Sequence, residues 1–268
     1  MDARKLSCTT VTFGCPVDEA ILAMSRAGFT STELWPRDYY FSNDGPEAVL
    51  NALTKAGMTV SCYQNLRNYE GMPEHLRDTK NRIAEQIFQQ MQLLEAETLV
   101  LCSNIAPEST GDEDRIISDL RQLGDLAARY GRRVAWEPIC WGRWVKDYRH
   151  AWEIVRKVDH DNIGLVLDCF HIFTLGLPLD VISQIAREKI FIVEVADIPG
   201  CNLDFLELSR AFRLFPGEGV SPIGDFMEEV RRTGYDGILS VEIFNAYYRT
   251  LPPDVVARRA RASLEPFL

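Results

Sequence analysis

The chain has 268 residues, 46% hydrophobic and 25% charged, an ordinary globular composition that supplies a sizeable core and excludes wholesale disorder. Its 29 Lys and Arg against 39 Asp and Glu give a formal net charge of −10, which repels a phosphate backbone and argues against nucleic acid as a partner. Seven cysteines without framework spacing, no apolar leader at the start and no apolar run of membrane-spanning length together predict a cytoplasmic protein with reduced thiols and no membrane partner.

Short β-rich runs alternate with helical patterns from end to end, with no Pro/Gly/Ser-rich linker between them. The first predicted strand covers residues 6–13 and leads into a helix over 17–27 that stops at Gly28. Residues 30–35 make the second strand, 46–56 a helix closed by Gly57, and 58–64 the third strand. Ile83, Ile87, Met91 and Leu94 predict the core stripe of a long helix before a fourth strand at 98–102. Ile116, Leu120, Leu123 and Ala127 repeat that pattern before a fifth strand at 133–137.

Asp147 then caps a helix running to Val158. Residues 164–168 and 190–195 are near-continuous apolar runs, as expected of parallel strands covered on both faces, with a helix predicted over 178–186 between them. Ser221-Pro222 opens a helix to Arg232, residues 238–244 form the eighth strand, and a last helix begins near Pro252. Eight βα repeats in one uninterrupted chain predict an α/β fold, a single-domain (β/α)8 TIM barrel over residues 1–268. A doubly wound sheet is the alternative, but no glycine-rich phosphate loop follows a strand.

In such a barrel the chemistry sits where strands end. Four successive strands end in acids: Glu137, Asp168, Glu194 and Glu242. Converging buried carboxylates require a cation, and hard oxygen donors suit one divalent ion, Mg2+, Mn2+ or Co2+, with Zn2+ also compatible. His171, three residues beyond Asp168, is the candidate general base on the following loop. Arg67 after the third strand, and Ser209 and Arg210 with Arg213 after the seventh, are candidates to hold a substrate carboxylate. Trp35, Tyr39, Tyr40, Tyr63, Trp141 and Trp144 stand where they could wall a site from water.

Longer motifs carry a resemblance. Residues 63–74 (YQNLRNYEGMPE), Cys102-Ser103-Asn104, Trp136-Glu137-Pro138, Leu167-Asp168-Cys169-Phe170-His171, Val195-Ala196-Asp197, Phe215-Pro216-Gly217 and Glu242-Ile243-Phe244-Asn245 resemble the xylose isomerase-like barrel superfamily, and within it the bacterial 3-dehydroshikimate dehydratases. The resemblance implies a lyase that dehydrates 3-dehydroshikimate to protocatechuate through a metal-stabilised enolate. It also implies metal ligands at Glu137, Asp168, Glu194 and Glu242, a loop histidine at His171, and carboxylate-binding arginines at Arg67 and Arg210. Glu194 stands where the family has glutamine, and Trp144 where it has histidine. A divalent-metal-dependent sugar or keto-sugar isomerase or epimerase is the alternative, and a non-catalytic metabolite-binding barrel a third. The expected partner is a small polyhydroxylated keto acid or sugar, and the sequence leaves room for a homo-oligomer.

Overall fold

The computed structural model describes residues 5–42 and 44–268; residues 1–4, on which the expectation about a leader partly rests, lie outside the described residues. Eight strands form, Leu6–Thr9 (β1), Ser31–Leu34 (β2), Thr59–Leu66 (β3), Thr98–Cys102 (β4), Arg133–Glu137 (β5), Ile163–Asp168 (β6), Ile190–Val195 (β7) and Ile238–Val241 (β8). Each runs parallel to the next, and β8 pairs back onto β1 to close the expected barrel. The first and last strands are shorter than predicted, because residues 10–12 turn into a 3-10 helix and Glu242 already lies past the β8 ladder.

The two-residue period of a strand decides what faces inward. An inner apolar layer is built by Cys62, Val100, Ala135, Val166 and Ile192, with Ile238 packed against it and Phe191 joining it at the register shift between β6 and β7. Two residues further along the same strands, and so on the same face, stand Gln64, Cys102, Glu137, Asp168 and Glu194; Ser240 follows Ile238, and Glu242 is one step beyond. The apolar plug therefore ends where a polar layer begins, at the C-terminal mouth of the barrel. The strands' other faces pack on the surrounding helices in one continuous core.

Helix faces mostly follow the predicted stripes. In Glu113–Arg129 the buried set includes Ile116, Leu120, Leu123 and Ala127, and the Asp112 side chain accepts two first-turn amides. Each fully buried leucine or isoleucine there is worth roughly 1.5–3 kcal/mol. In Arg77–Leu93 the first half of the stripe is displaced by one position, while Met91 and Leu94 are buried as predicted. Ala84, Phe88 and Met91 are buried, while Ile83 is 41% exposed, since small Ala84 lets the helix close on the sheet and bulky Phe88 fills the gap.

The helix predicted over 178–186 does not form. The β6–β7 crossover is made instead by Cys169–Thr174, and Gly176 at φ +62 followed by Pro178 ends it; only 3-10 turns at Ile182–Gln184 and Arg187–Lys189 follow. Ser221 is not the predicted cap: the next helix is Ile223–Arg232, and the Ser221 amide is taken by Asp197 Oδ1 at 2.9 Å. No helix among the described residues is long and apolar enough to cross a membrane.

Candidate metal centre and substrate pocket

Glu137, Asp168, Glu194 and Glu242 each bring one oxygen within 4.8 Å of the others. All four are at most 5% exposed. Register explains the convergence, since Asp168 lies directly across the ladder from Glu194 and Ser240 from Glu194 on the other side. The pKa of each is pushed up, first by burial, and the Arg213 charge holds down Glu137, Asp168 and Glu242 in part.

Arg213 departs from its expected place in a substrate clamp. It is 2% exposed, and its Nη1 donates to Asp168 Oδ2 at 2.9 Å and Glu242 Oε2 at 2.7 Å, while the guanidinium lies 4.1 Å from the Phe170 ring centroid. Ser209, expected to meet substrate, is 1% exposed; it borders the pocket, but its hydroxyl accepts from Arg213 Nη2 at 3.4 Å. These two residues thus brace the carboxylates from the side.

Four carboxylates face one buried guanidinium, and Glu194 Oε2 has no hydrogen-bond partner. Hard oxygen donors in excess over positive charge, with an orphaned carboxylate oxygen among them, fit a divalent cation.

His171 sits in the helix Cys169–Thr174 rather than on a loop, because Asp168 caps that helix by accepting the Phe170 amide at 2.8 Å. One aspartate therefore serves the helix with Oδ1 and the acidic centre with Oδ2. The imidazole Nε2 lies 3.3 Å from Glu137 Oε1 and 3.4 Å from Asp168 Oδ2, and Nδ1 faces the Cys140 amide at 3.3 Å. Trp141 and Phe170 meet its ring edge-on. Burial pushes the His171 pKa down to about 3, so the ring is neutral.

Above the acids opens a pocket of about 480 Å3, counting its mouth. Glu137, Glu242, His171 and Arg213 face it from below, and Arg67, Arg210, Asn68, Ser103, Trp141 and Phe244 from the sides. Arg67 and Arg210 stand close enough for the Arg67 charge, after burial, to lower the Arg210 pKa. Among the described residues neither makes an ion pair; Arg67 Nε is held by Asn65 Oδ1 at 2.8 Å, and Arg210 lies over Trp141 and Phe244. The pocket is thus bipolar, acidic at the floor and cationic at the rim.

The long segment carrying Arg210 is anchored by Asp197, whose carboxylate accepts the amides of Ile198, Gly217, Gly219 and Ser221. Trp144 is not a pocket residue. Its indole donates to Ser109 and packs over Gly111, so its difference from the family's histidine falls on a loop brace. Trp35, Tyr39, Tyr40 and Tyr63 also stay out of the lining.

Sequence reasoning missed Glu33 and Gln64. Glu33 is fully buried on β2 and accepts from Gln64 Nε2 at 2.5 Å, while the same amide reaches Glu194 Oε1 at 3.3 Å. The signal was present, an acid near the end of Ser31-Thr32-Glu33-Leu34, but β2 lies outside the run of four successive acid-ended strands.

A family model described as xylose isomerase-like TIM barrel matches residues 21–267. A 3-dehydroshikimate dehydratase of Pseudomonas putida is 36% identical over 247 residues, 92% of this chain and 39% of its own length. A solved xylose isomerase-like TIM barrel/4-hydroxyphenylpyruvate dioxygenase fusion protein superposes with a TM-score of 0.94 at 35% identity, over 97% of this chain and 42% of that one. The zinc-bound IolI protein shares the fold, with a TM-score of 0.85 at 20% identity over 98% of this chain and 97% of that one. The chain therefore spans about two fifths of the length of the dehydratase and of the fusion protein it matches.

Proposed function

Because the chain belongs to the xylose isomerase-like TIM barrel family, and its pocket sets two unpaired arginines over a buried acidic centre, we propose that it is a metal-dependent 3-dehydroshikimate dehydratase forming protocatechuate. The bipolar pocket carries this assignment, since the substrate has a carboxylate at one end of a ring and a ketone with hydroxyls at the other. The dehydratase relative of Pseudomonas putida supports it.

Glu137, Asp168, Glu194 and Glu242 would hold one divalent cation, and the IolI neighbour, which binds a zinc atom, supports a divalent metal. When bound, that cation supplies Lewis acidity that polarises the ketone and acidifies the C–H beside it. Arg67 and Arg210 bind the carboxylate and fix the ring's orientation. His171 Nε2 takes the proton from the activated carbon, which requires the tautomer protonated on Nδ1. As found, Nδ1 accepts from the Cys140 amide at 3.3 Å, so reaching that tautomer gives up this bond and leaves the amide unpaired, at a cost of about 1–3 kcal/mol. The proton taken by His171 passes to the β-hydroxyl, which leaves as water, and enolisation of the resulting dienone aromatises the ring. Trp141, edge-on to His171, keeps bulk water from the imidazole.

A sugar isomerase or epimerase, the competing assignment, leaves the two arginines without a carboxylate to bind. The test is to supply 3-dehydroshikimate and a panel of ketoses to the protein loaded with Mg2+, Mn2+, Co2+ or Zn2+, and to follow catechol absorbance and ketose interconversion. Protocatechuate is expected with at least one metal and none after chelation. Ketose conversion without any catechol overturns the assignment.

A further inference from the structure

Glu70 lies three residues past Arg67, outside the pocket lining, and is 2% exposed. Its Oε1 accepts the Asn104 backbone N–H at 2.7 Å, and its carbonyl accepts from Asn104 Nδ2 at 2.5 Å. Two more bonds join the same segments, the Ile105 amide to Asn68 Oδ1 at 3.1 Å and the Thr110 amide to the Gly71 carbonyl at 2.8 Å. Among the described residues Glu70 therefore makes two of the four hydrogen bonds between the loop after β3 and the loop after β4, one through its carboxyl group and one through its backbone carbonyl. The fit is tight: Gly71 is at φ +69, and a Cβ there would stand 2.5 Å from the Thr110 carbonyl oxygen. Asn104 passes the linkage on, its carbonyl accepting the Arg143 amide of the loop that also carries Trp141.

A carboxyl group is an expensive way to join two loops, because burial penalises the ionised form. Burial raises the Glu70 pKa to about 8, so the group is held mostly protonated and still presents an acceptor oxygen to the Asn104 amide. The two joined segments carry Arg67 and Asn68 on one side and Ser103 on the other, all of them pocket residues. Among the described residues, exposed Arg67 is held only by the neutral Asn65 bond, so its position depends on how its loop is fixed.

We propose that Glu70 is a positioning residue that clamps the Arg67–Asn68 segment against Ser103–Asn104, and so sets the reach of Arg67 toward the carboxylate of an anionic ligand. This rests on the carboxylate-binding role given to Arg67 above.

The test uses two probes on the metal-loaded protein, protocatechuate, which carries the carboxylate, and catechol, which lacks it. Wild type is expected to bind protocatechuate more tightly. Glu70→Ala should weaken protocatechuate about tenfold while leaving catechol and metal affinity unchanged. Glu70→Gln, which keeps an acceptor for the Asn104 amide, should recover most of that loss. Equal weakening of both catechols in Glu70→Ala, or of neither, overturns the proposal. If Glu70→Ala fails to fold, Glu70→Asp, whose carboxylate is one methylene short of the Asn104 backbone N–H, takes its place and must show the same selective loss. A wild type that binds both catechols equally removes the carboxylate clamp itself, which separates that failure from the failure of Glu70.

Discussion

At the level of single residues the site is a problem of charge placed where water cannot reach. His171 is neutral because burial outweighs the nearby Asp168 carboxylate, and neutrality is what a base needs before it accepts a proton. His171→Ala should lower kcat by about 10²- to 10⁴-fold with metal affinity nearly intact, measured by steady-state kinetics beside metal titration. Turnover per bound metal at the wild-type level would remove the base role, and a joint fall in metal content would make the ring a ligand. Arg213 gives a second expectation at this scale. Replacing it with Met leaves Asp168 and Glu242 buried without their partner, at a cost of about 3–5 kcal/mol by chemical denaturation of the metal-free protein. Saturating metal should recover part of that loss, and a variant as stable as wild type without metal would show that the pairs contribute nothing.

At the level of elements, what matters is how loops are fixed on strand ends. Gly219 is in contact with the Asp197 anchor: a Cβ added there would lie 2.3 Å from the Ile198 carbonyl oxygen and 2.5 Å from Asp197 Oδ1. Gly219→Ala should therefore shift the segment carrying Arg210, raising KM for a carboxylate-bearing substrate more than it changes kcat. An unchanged KM would show that the anchor does not govern Arg210. The strand-end acids were legible in the sequence because a two-residue period from the apolar plug puts Glu137, Asp168 and Glu194 inside, and parallel strands reveal themselves as apolar runs. The β6–β7 crossover was not, since a six-residue helix capped by a functional aspartate has too few turns for a helical period to show. Asp168 was read as a ligand and not as a cap, yet its second oxygen caps. The carboxylate pairing of Arg213 was not legible for a related reason, because sequence puts it after β7 but only packing turns its guanidinium onto Asp168 and Glu242, while Ser209 stays at the pocket edge.

At the scale of the whole molecule, closing the sheet is what concentrates acid. Glu33, Glu137, Asp168, Glu194 and Glu242 all lie in the interior of one barrel, and burial pushes each pKa up, that of Glu33 to about 8. A group whose pKa is higher folded than unfolded binds its proton more tightly in the native state. It stabilises the fold below its unfolded value, and that contribution is lost as pH rises toward the folded value. The metal-free protein should therefore lose thermal stability between about pH 5 and about pH 8. A divalent cation competes with the protons of Glu137, Asp168, Glu194 and Glu242, whose pKa values burial also raises, so its affinity should rise as pH rises. A ligand at a hundred times its Kd adds about 2.7 kcal/mol to native stability, so the difference is large enough to see in a melting curve. The gap in Tm between metal-saturated and chelator-treated protein is accordingly expected to widen steadily from the acid to the basic end of that window. Scanning calorimetry at several pH values measures it directly. Parallel curves would mean that metal and protons do not share these carboxylates, and the cation would then have to be sought elsewhere than in the barrel mouth.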